Sequence, residues 1–153
     1  MNRNYKLLVV DDERNMRESL RTVLESRGTL VDTVESAEEG LTAIEASDYF
    51  MVITDARLEG MSGYEFLRET HERWPDLPVL MITAYATPKL AVEAIQTGAI
   101  DYLSKPFEPE ELLHSVNRCA ERHQLIQQNE KLKARLPFGY QLDDIIGNCQ
   151  SLK

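Results

Sequence analysis

Five short apolar runs punctuate the chain: KLLVV (6–10), LVDTV (30–34), YFMVIT (49–54), VLMI (79–82) and IDYL (100–103). The first, third and fourth do not alternate with polar residues, so the strands they form need cover on both faces. Between the runs lie segments with apolar residues at helical spacing. Met16, Leu20, Val23 and Leu24 mark the first, which Gly28 stops; Leu41, Ala43, Ile44 and Ala46 mark the second. Ser36 followed by Glu39 opens that second helix in a capping-box pattern. Tyr64, Phe66 and Leu67 mark the third, closed before Pro75 and Pro78. The fourth carries Leu90, Ala91, Ala94 and Ile95, with Thr87 at the N-cap, Pro88 at N1 and Gly98 at its end. A fifth, long helix starts near Pro109 and meets no breaker before Pro137.

Strands alternating with helices imply an α/β domain with right-handed crossovers. Five strands in this length fit a flavodoxin-like, doubly wound parallel sheet of order 2-1-3-4-5, followed by the long C-terminal helix. The 153 residues suit one domain with an appendage, and 42% hydrophobic content is enough for a core. We place the compact domain at residues 1–123, a helical linker at 124–137 and the start of a further domain at 138–153. A net charge of −9 argues against bulk attraction to DNA phosphates or anionic lipid. Cys119 and Cys149 lie far apart and match no metal spacing, which suits reduced thiols in a cytoplasmic chain. No apolar run reaches the roughly 20 residues that span a bilayer, and MNRNYK lacks the apolar core of a signal peptide.

In an open α/β sheet, ligands bind beyond the carboxyl ends of the strands, where strand order reverses. Here that point lies between strands one and three. Strand one ends in Asp11 and Asp12, and strand three ends in Asp55. Strand four leads to Thr83, and strand five through Ser104 to Lys105. Three acids, a hydroxyl and an amine are thus expected in one crevice. Clustered carboxylates repel unless a cation or proton intervenes, and all-oxygen ligands suit Mg2+. An Asp beside such an ion can attack phosphorus and form an aspartyl phosphate. Lys105 would neutralise the phosphoryl oxygens and Thr83 would donate a hydrogen bond to one of them. Taken singly, each residue has an ordinary reading: Asp11 and Asp12 as helix caps, Asp55 as a strand terminus, Thr83 as a strand-end hydroxyl, Lys105 as a surface lysine. Their joint placement carries the argument.

The motifs VVDDE (9–13), ITDARLEGMSG (53–63), MITAY (81–85) and GAIDYLSKPF (98–107) make residues 5–123 resemble the receiver domain of bacterial two-component response regulators. The resemblance implies that Asp55 is the phosphoacceptor and that Asp11, Asp12, Asp55 and the Arg57 carbonyl hold Mg2+, directly or through water. It implies contacts of Thr83 and Lys105 with the phosphoryl group, an aromatic switch at Tyr102 and a cis Lys105–Pro106 bond. The phosphodonor would be a cognate histidine kinase. Glu59 stands where such domains often carry Pro. Arg57 and Tyr85 flank the phosphoryl position, where a bulky Tyr85 would hinder an attacking water.

TAYATPKLAVEAIQTGAIDYLSKPF is similar to receivers of sigma-54-dependent activators of the nitrogen-regulatory type, and LDDIIGNCQSLK (142–153) resembles the opening of their AAA+ ATPase domain. The chain would then be a receiver and linker that stop just inside the ATPase, with no direct nucleic-acid binding and no membrane contact. No Walker A motif is present. Leu112, Val116 and Cys119 suggest a stripe packed on the receiver. Leu125, Asn129, Leu132 and Leu136 suggest a shifted seam for a parallel coiled coil, hence a homodimer through residues 110–136. Within the family, the alternative is a stand-alone receiver acting by docking, which the extension beyond residue 123 disfavours. A haloacid-dehalogenase-type phosphatase also uses an Asp nucleophile and Mg2+. It usually wants a second Asp two residues on, where Arg57 stands. A flavodoxin needs a phosphate-cradling loop after strand one, and DDERN would repel phosphate.

Overall fold

A computed structural model describes residues 6–135. Ten elements alternate: β1 (Lys6–Val10), α1 (Arg14–Glu25), β2 (Leu30–Val34), α2 (Ala37–Ala46), β3 (Met51–Asp55), α3 (Gly63–Arg73), β4 (Val79–Thr83), α4 (Pro88–Thr97), β5 (Asp101–Ser104) and α5 (Pro109–Arg135). All strand pairs are parallel and the order is β2-β1-β3-β4-β5, as the alternation of runs predicts. The third run starts late: Tyr49 and Phe50 precede the strand, whose last residue is Asp55.

The uniformly apolar runs are explained by cover on both faces. Leu7 and Val9 of β1, Ile53 of β3, and Leu80 and Ile82 of β4 pack with Leu20 and Leu24 of α1 and Leu112 and Val116 of α5. Their neighbours Leu8, Val10, Val52, Val79 and Met81 face the other way, onto Ile44 of α2, Phe66 and Leu67 of α3 and Ala94 of α4. Each strand thus serves two cores through its period of two. Phe66 is wholly buried, and truncating such a ring costs about 3–5 kcal/mol.

Local chemistry sets the helix starts. Ser36 Oγ accepts from Glu39 N–H (3.1 Å), as the capping pattern predicts. Glu39 returns its bond one residue early, to Glu35 N–H rather than to Ser36 (3.0 Å). The complete reciprocal box is instead at Ser62 and Glu65, opening α3. Thr87 caps α4 with Pro88 in its first turn, and Gly98 closes it at φ 129°, a conformation that glycine adopts without strain.

Two contacts hold the strand ends that matter. A Cβ on Gly63 would lie 2.1 Å from the Asp55 carbonyl oxygen, so only glycine lets α3 sit this close to the end of β3. Gly63 N–H donates to the Ala56 carbonyl (3.0 Å). At the other end, Asp101 on β5 accepts from Ser115 Oγ (2.8 Å) and Arg118 (3.3 Å), pinning β5 to α5.

The chain divides into two units, Met1–Ala120 and Glu121–Lys153. In the first, the expected α5 stripe is buried: Leu112, Val116 and Cys119 are each at most 3% exposed. In the second, Leu125 is exposed. The side chains of Asn129 and Leu132, all of Leu136 and the segment 138–153 lie outside the described residues. No helix among the described residues is long and apolar enough to cross a membrane.

Candidate functional site

The parallel register brings the strand termini into line. Val10 pairs with Thr54, Asp55 with Ile82, and Thr83 with Ser104. The next residues, Asp11 and Lys105, therefore flank Asp55. Lys105 Nζ lies 3.0 Å from Asp55 Oδ2 and 3.9 Å from Asp11 Oδ2. Asp11 is 2% and Asp55 9% exposed. One ammonium thus faces two buried carboxylates.

Backbone groups fix each carboxylate. Arg57 N–H donates to Asp55 Oδ1 (3.0 Å) and Glu13 N–H to Asp11 Oδ1 (2.8 Å). Asp11 therefore spends its side chain on the turn into α1, not on the helix cap. Lys105 is aimed by its own backbone, whose N–H donates to the Thr83 carbonyl (2.7 Å), and the Lys105–Pro106 peptide is cis. Thr83 is 2% exposed. Its Oγ1 accepts from Tyr85 N–H (3.0 Å), which leaves the hydroxyl proton available for donation.

The charges are unevenly balanced. Burial, the largest cause, pushes the Asp11 pKa up to about 6. The Glu13 N–H and Lys105 oppose that push, and the Asp55 and Asp12 charges add to it. Burial works against the Lys105 charge, but the hydrogen bond and charge of Asp55, with Asp11 behind, hold its pKa above the usual lysine value.

Asp12 stands at the open edge of the site, where its charge acts on Asp11. It is exposed and lines an acidic groove of about 420 Å³ with Glu35, Glu39 and Glu59. Among the described residues no group of three or more His, Cys, Asp or Glu side chains is gathered to hold a metal ion. Asp11 and Asp55 are the two buried acids of the site, and Asp12 is the exposed one beside them. The donor set still suits a hard cation. Two buried carboxylates share one ammonium, and the Asp55 charge adds to the burial that raises the Asp11 pKa.

A profile of the response regulator receiver domain matches residues 7–117. The chain belongs to that family. It is a signalling domain, and receivers generally bind Mg2+ at the acidic pocket and interact with histidine kinases. The chain is 37% identical over 138 residues to the C4-dicarboxylate transport transcriptional regulatory protein DctD of Pseudomonas aeruginosa, covering 90% of this chain and 30% of that protein. It is 34% identical over 145 residues to the DNA-binding transcriptional regulator NtrC of Klebsiella pneumoniae, covering 95% of this chain and 30% of that one. The chain thus spans less than a third of the length of these curated relatives. Among solved structures, the beryllofluoride-activated NtrC4 receiver domain dimer matches with a TM-score of 0.73 at 32% identity, covering 76% of this chain and 97% of that one. NtrX from Brucella abortus in complex with ADP matches with a TM-score of 0.75 at 32% identity, covering 88% and 31%.

Two features of this receiver's site are visible only in three dimensions. The Arg57 guanidinium lies over the Tyr85 ring, 4.4 Å from its centroid. Tyr102, the expected switch residue, is partly buried, and its hydroxyl lies 3.1 Å from that of Tyr64. Tyr64 read in sequence only as part of the apolar face of α3. Its hydroxyl partner, 38 residues away, leaves no local signal.

Proposed function

We propose that Asp55 accepts a phosphoryl group from the phosphohistidine of a histidine kinase. The observation that carries this is the Lys105 ammonium between the Asp55 and Asp11 carboxylates. An Asp55 oxygen forms the new O–P bond while the P–N bond to the donor imidazole breaks and its electron pair returns to the ring nitrogen. Lys105 then moves its charge from the carboxylate to a phosphoryl oxygen, and Thr83 donates its hydroxyl proton to another. Asp11, Asp12, Asp55 and the Arg57 carbonyl are the residues that would hold Mg2+, directly or through water. The ion, when bound, supplies neutralisation of the phosphoryl oxygens.

The readout is the face of α4, β5 and α5. Thr83 drawn toward the phosphoryl group leaves space behind it, and Tyr102 repacks into that space, a local charge event biasing a two-state element. The similarity to DctD and NtrC supports an output of sigma-54-dependent transcription activation in a cytoplasmic regulator. The dimeric state of the NtrC4 receiver supports association of this chain as a homodimer, for which the seam we propose is residues 110–136.

Beryllofluoride, a phosphoryl mimic, tests the reading. Amide shifts on its addition should cluster within residues 83–110, and Asp55→Asn should abolish them. Shifts confined to residues 11–60 contradict the proposed readout, and shifts that persist in Asp55→Asn contradict the phosphoacceptor.

A further inference from the structure

Tyr64 opens α3 beside Gly63, the residue that seats this helix on the end of β3. Tyr102 lies on the edge strand β5, paired with Met81 of β4. Both rings are partly buried and pack against the core shared by α2, α3 and α4. The Tyr102 hydroxyl lies 3.1 Å from that of Tyr64, so its ring reaches from the sheet edge toward the start of α3. It does so on the face that carries Met81 and, two residues on, Thr83. Burial, the Tyr102 hydroxyl and the Glu93 charge raise the Tyr64 pKa above the ordinary tyrosine value. The Tyr64 hydroxyl therefore stays neutral across the working pH range.

We infer that Tyr64 is a positioning residue: its hydroxyl holds the Tyr102 ring turned toward α3, poised to repack into the space Thr83 vacates. The inference rests on the phosphorylation reading above. Holding the ring there in advance lowers the cost of the phosphorylated arrangement, so the ligand meets a larger population of competent molecules. Tyr64→Phe keeps the ring and its packing and removes only the anchor. Loss of one hydrogen bond between partly buried hydroxyls weakens binding of a phosphoryl mimic by roughly three- to tenfold.

The test is a double-mutant cycle read by beryllofluoride titration, following amide signals beside Asp55 rather than the tyrosines. Tyr64→Phe and Tyr102→Phe should each raise the half-saturating concentration by a similar factor. The double variant should be no weaker than either single one, because all three lack the same bond. A second readout needs no ligand. In 3-fluorotyrosine-labelled protein the fluorine signal of Tyr102, assigned by its loss in Tyr102→Phe, should move in Tyr64→Phe and stay in place in Tyr49→Phe. Additive losses, unchanged or tighter binding in Tyr64→Phe, or an unmoved Tyr102 signal overturn the role of Tyr64 and leave Asp55 untouched. If the native protein does not bind beryllofluoride at all, the Asp55 reading fails and the role of Tyr64 falls with it.

Discussion

Arg57 and Tyr85 are joined across the mouth of the site, with the guanidinium 4.4 Å from the ring centroid. Each stands two residues beyond a strand-end group, Asp55 on β3 and Thr83 on β4. The pair therefore bridges the two loops between which a phosphoryl group on Asp55 would sit. Tyr85 is 60% exposed, so the bridge is a surface contact.

Water must approach the phosphorus past this bridge to hydrolyse the aspartyl phosphate. A cation–π contact at an exposed site is worth about 0.5–1 kcal/mol. Tyr85→Ala should accordingly shorten the lifetime of the phosphoprotein by about two- to fivefold, since that energy is the stated fraction of the 1.4 kcal/mol per tenfold in rate. The decay of the phosphorylated species, followed by intact mass after removal of the phosphodonor, measures this. An unchanged or longer lifetime contradicts a gating role for the pair.

Asp11 gives a pH signature. Its pKa of about 6 in the folded chain lies above the ordinary 3.8, so the charged form is the costly one in the folded state. Through this group the metal-free protein gains stability as the pH falls from about 6 toward 3.8, and it carries the penalty in full above 6. Asp11→Asn should therefore be more stable than the native chain at neutral pH without divalent metal, by about 1–3 kcal/mol. The same variant should lose the stabilisation that Mg2+ confers on the native protein. Urea unfolding with and without Mg2+ measures both. A variant that is less stable at neutral pH in metal-free buffer contradicts the burial argument.

Strand order and the two-sided core were legible because unbroken apolar runs and helical spacing repeat on a fixed alternation. Asp55, Asp11, Thr83 and Lys105 were legible because each ends a strand, and parallel register carries strand ends to one place. What sequence could not show was direction. Asp12 adjoins Asp11, yet it faces solvent and the acidic groove. The capping box expected at Ser36 is half-made, while the full one stands at Ser62. The Tyr64–Tyr102 and Asp101–Ser115 contacts depend on how helices settle on the sheet. Neither pair has a spacing that sequence periodicity would flag.

The linker gives a third expectation. Leu125, Asn129, Leu132 and Leu136 repeat at coiled-coil spacing, and Leu125 is exposed in the described helix. The full chain should have dimeric mass by light scattering at tens of micromolar, and a version ending at Arg122 should be monomeric. Monomeric mass for the full chain, with and without beryllofluoride, contradicts the seam.

The central claim is that Asp55 is the acceptor and that Lys105 and Asp11 surround it for phosphoryl transfer. Asp55→Asn preserves size and polarity and removes the nucleophile. Native and variant proteins incubated with acetyl phosphate and Mg2+ should be weighed intact, with a parallel native sample in a chelator. The account predicts one added phosphoryl group on the native chain, none on Asp55→Asn and none in the chelator. Equal phosphorylation of the native and variant proteins would contradict it.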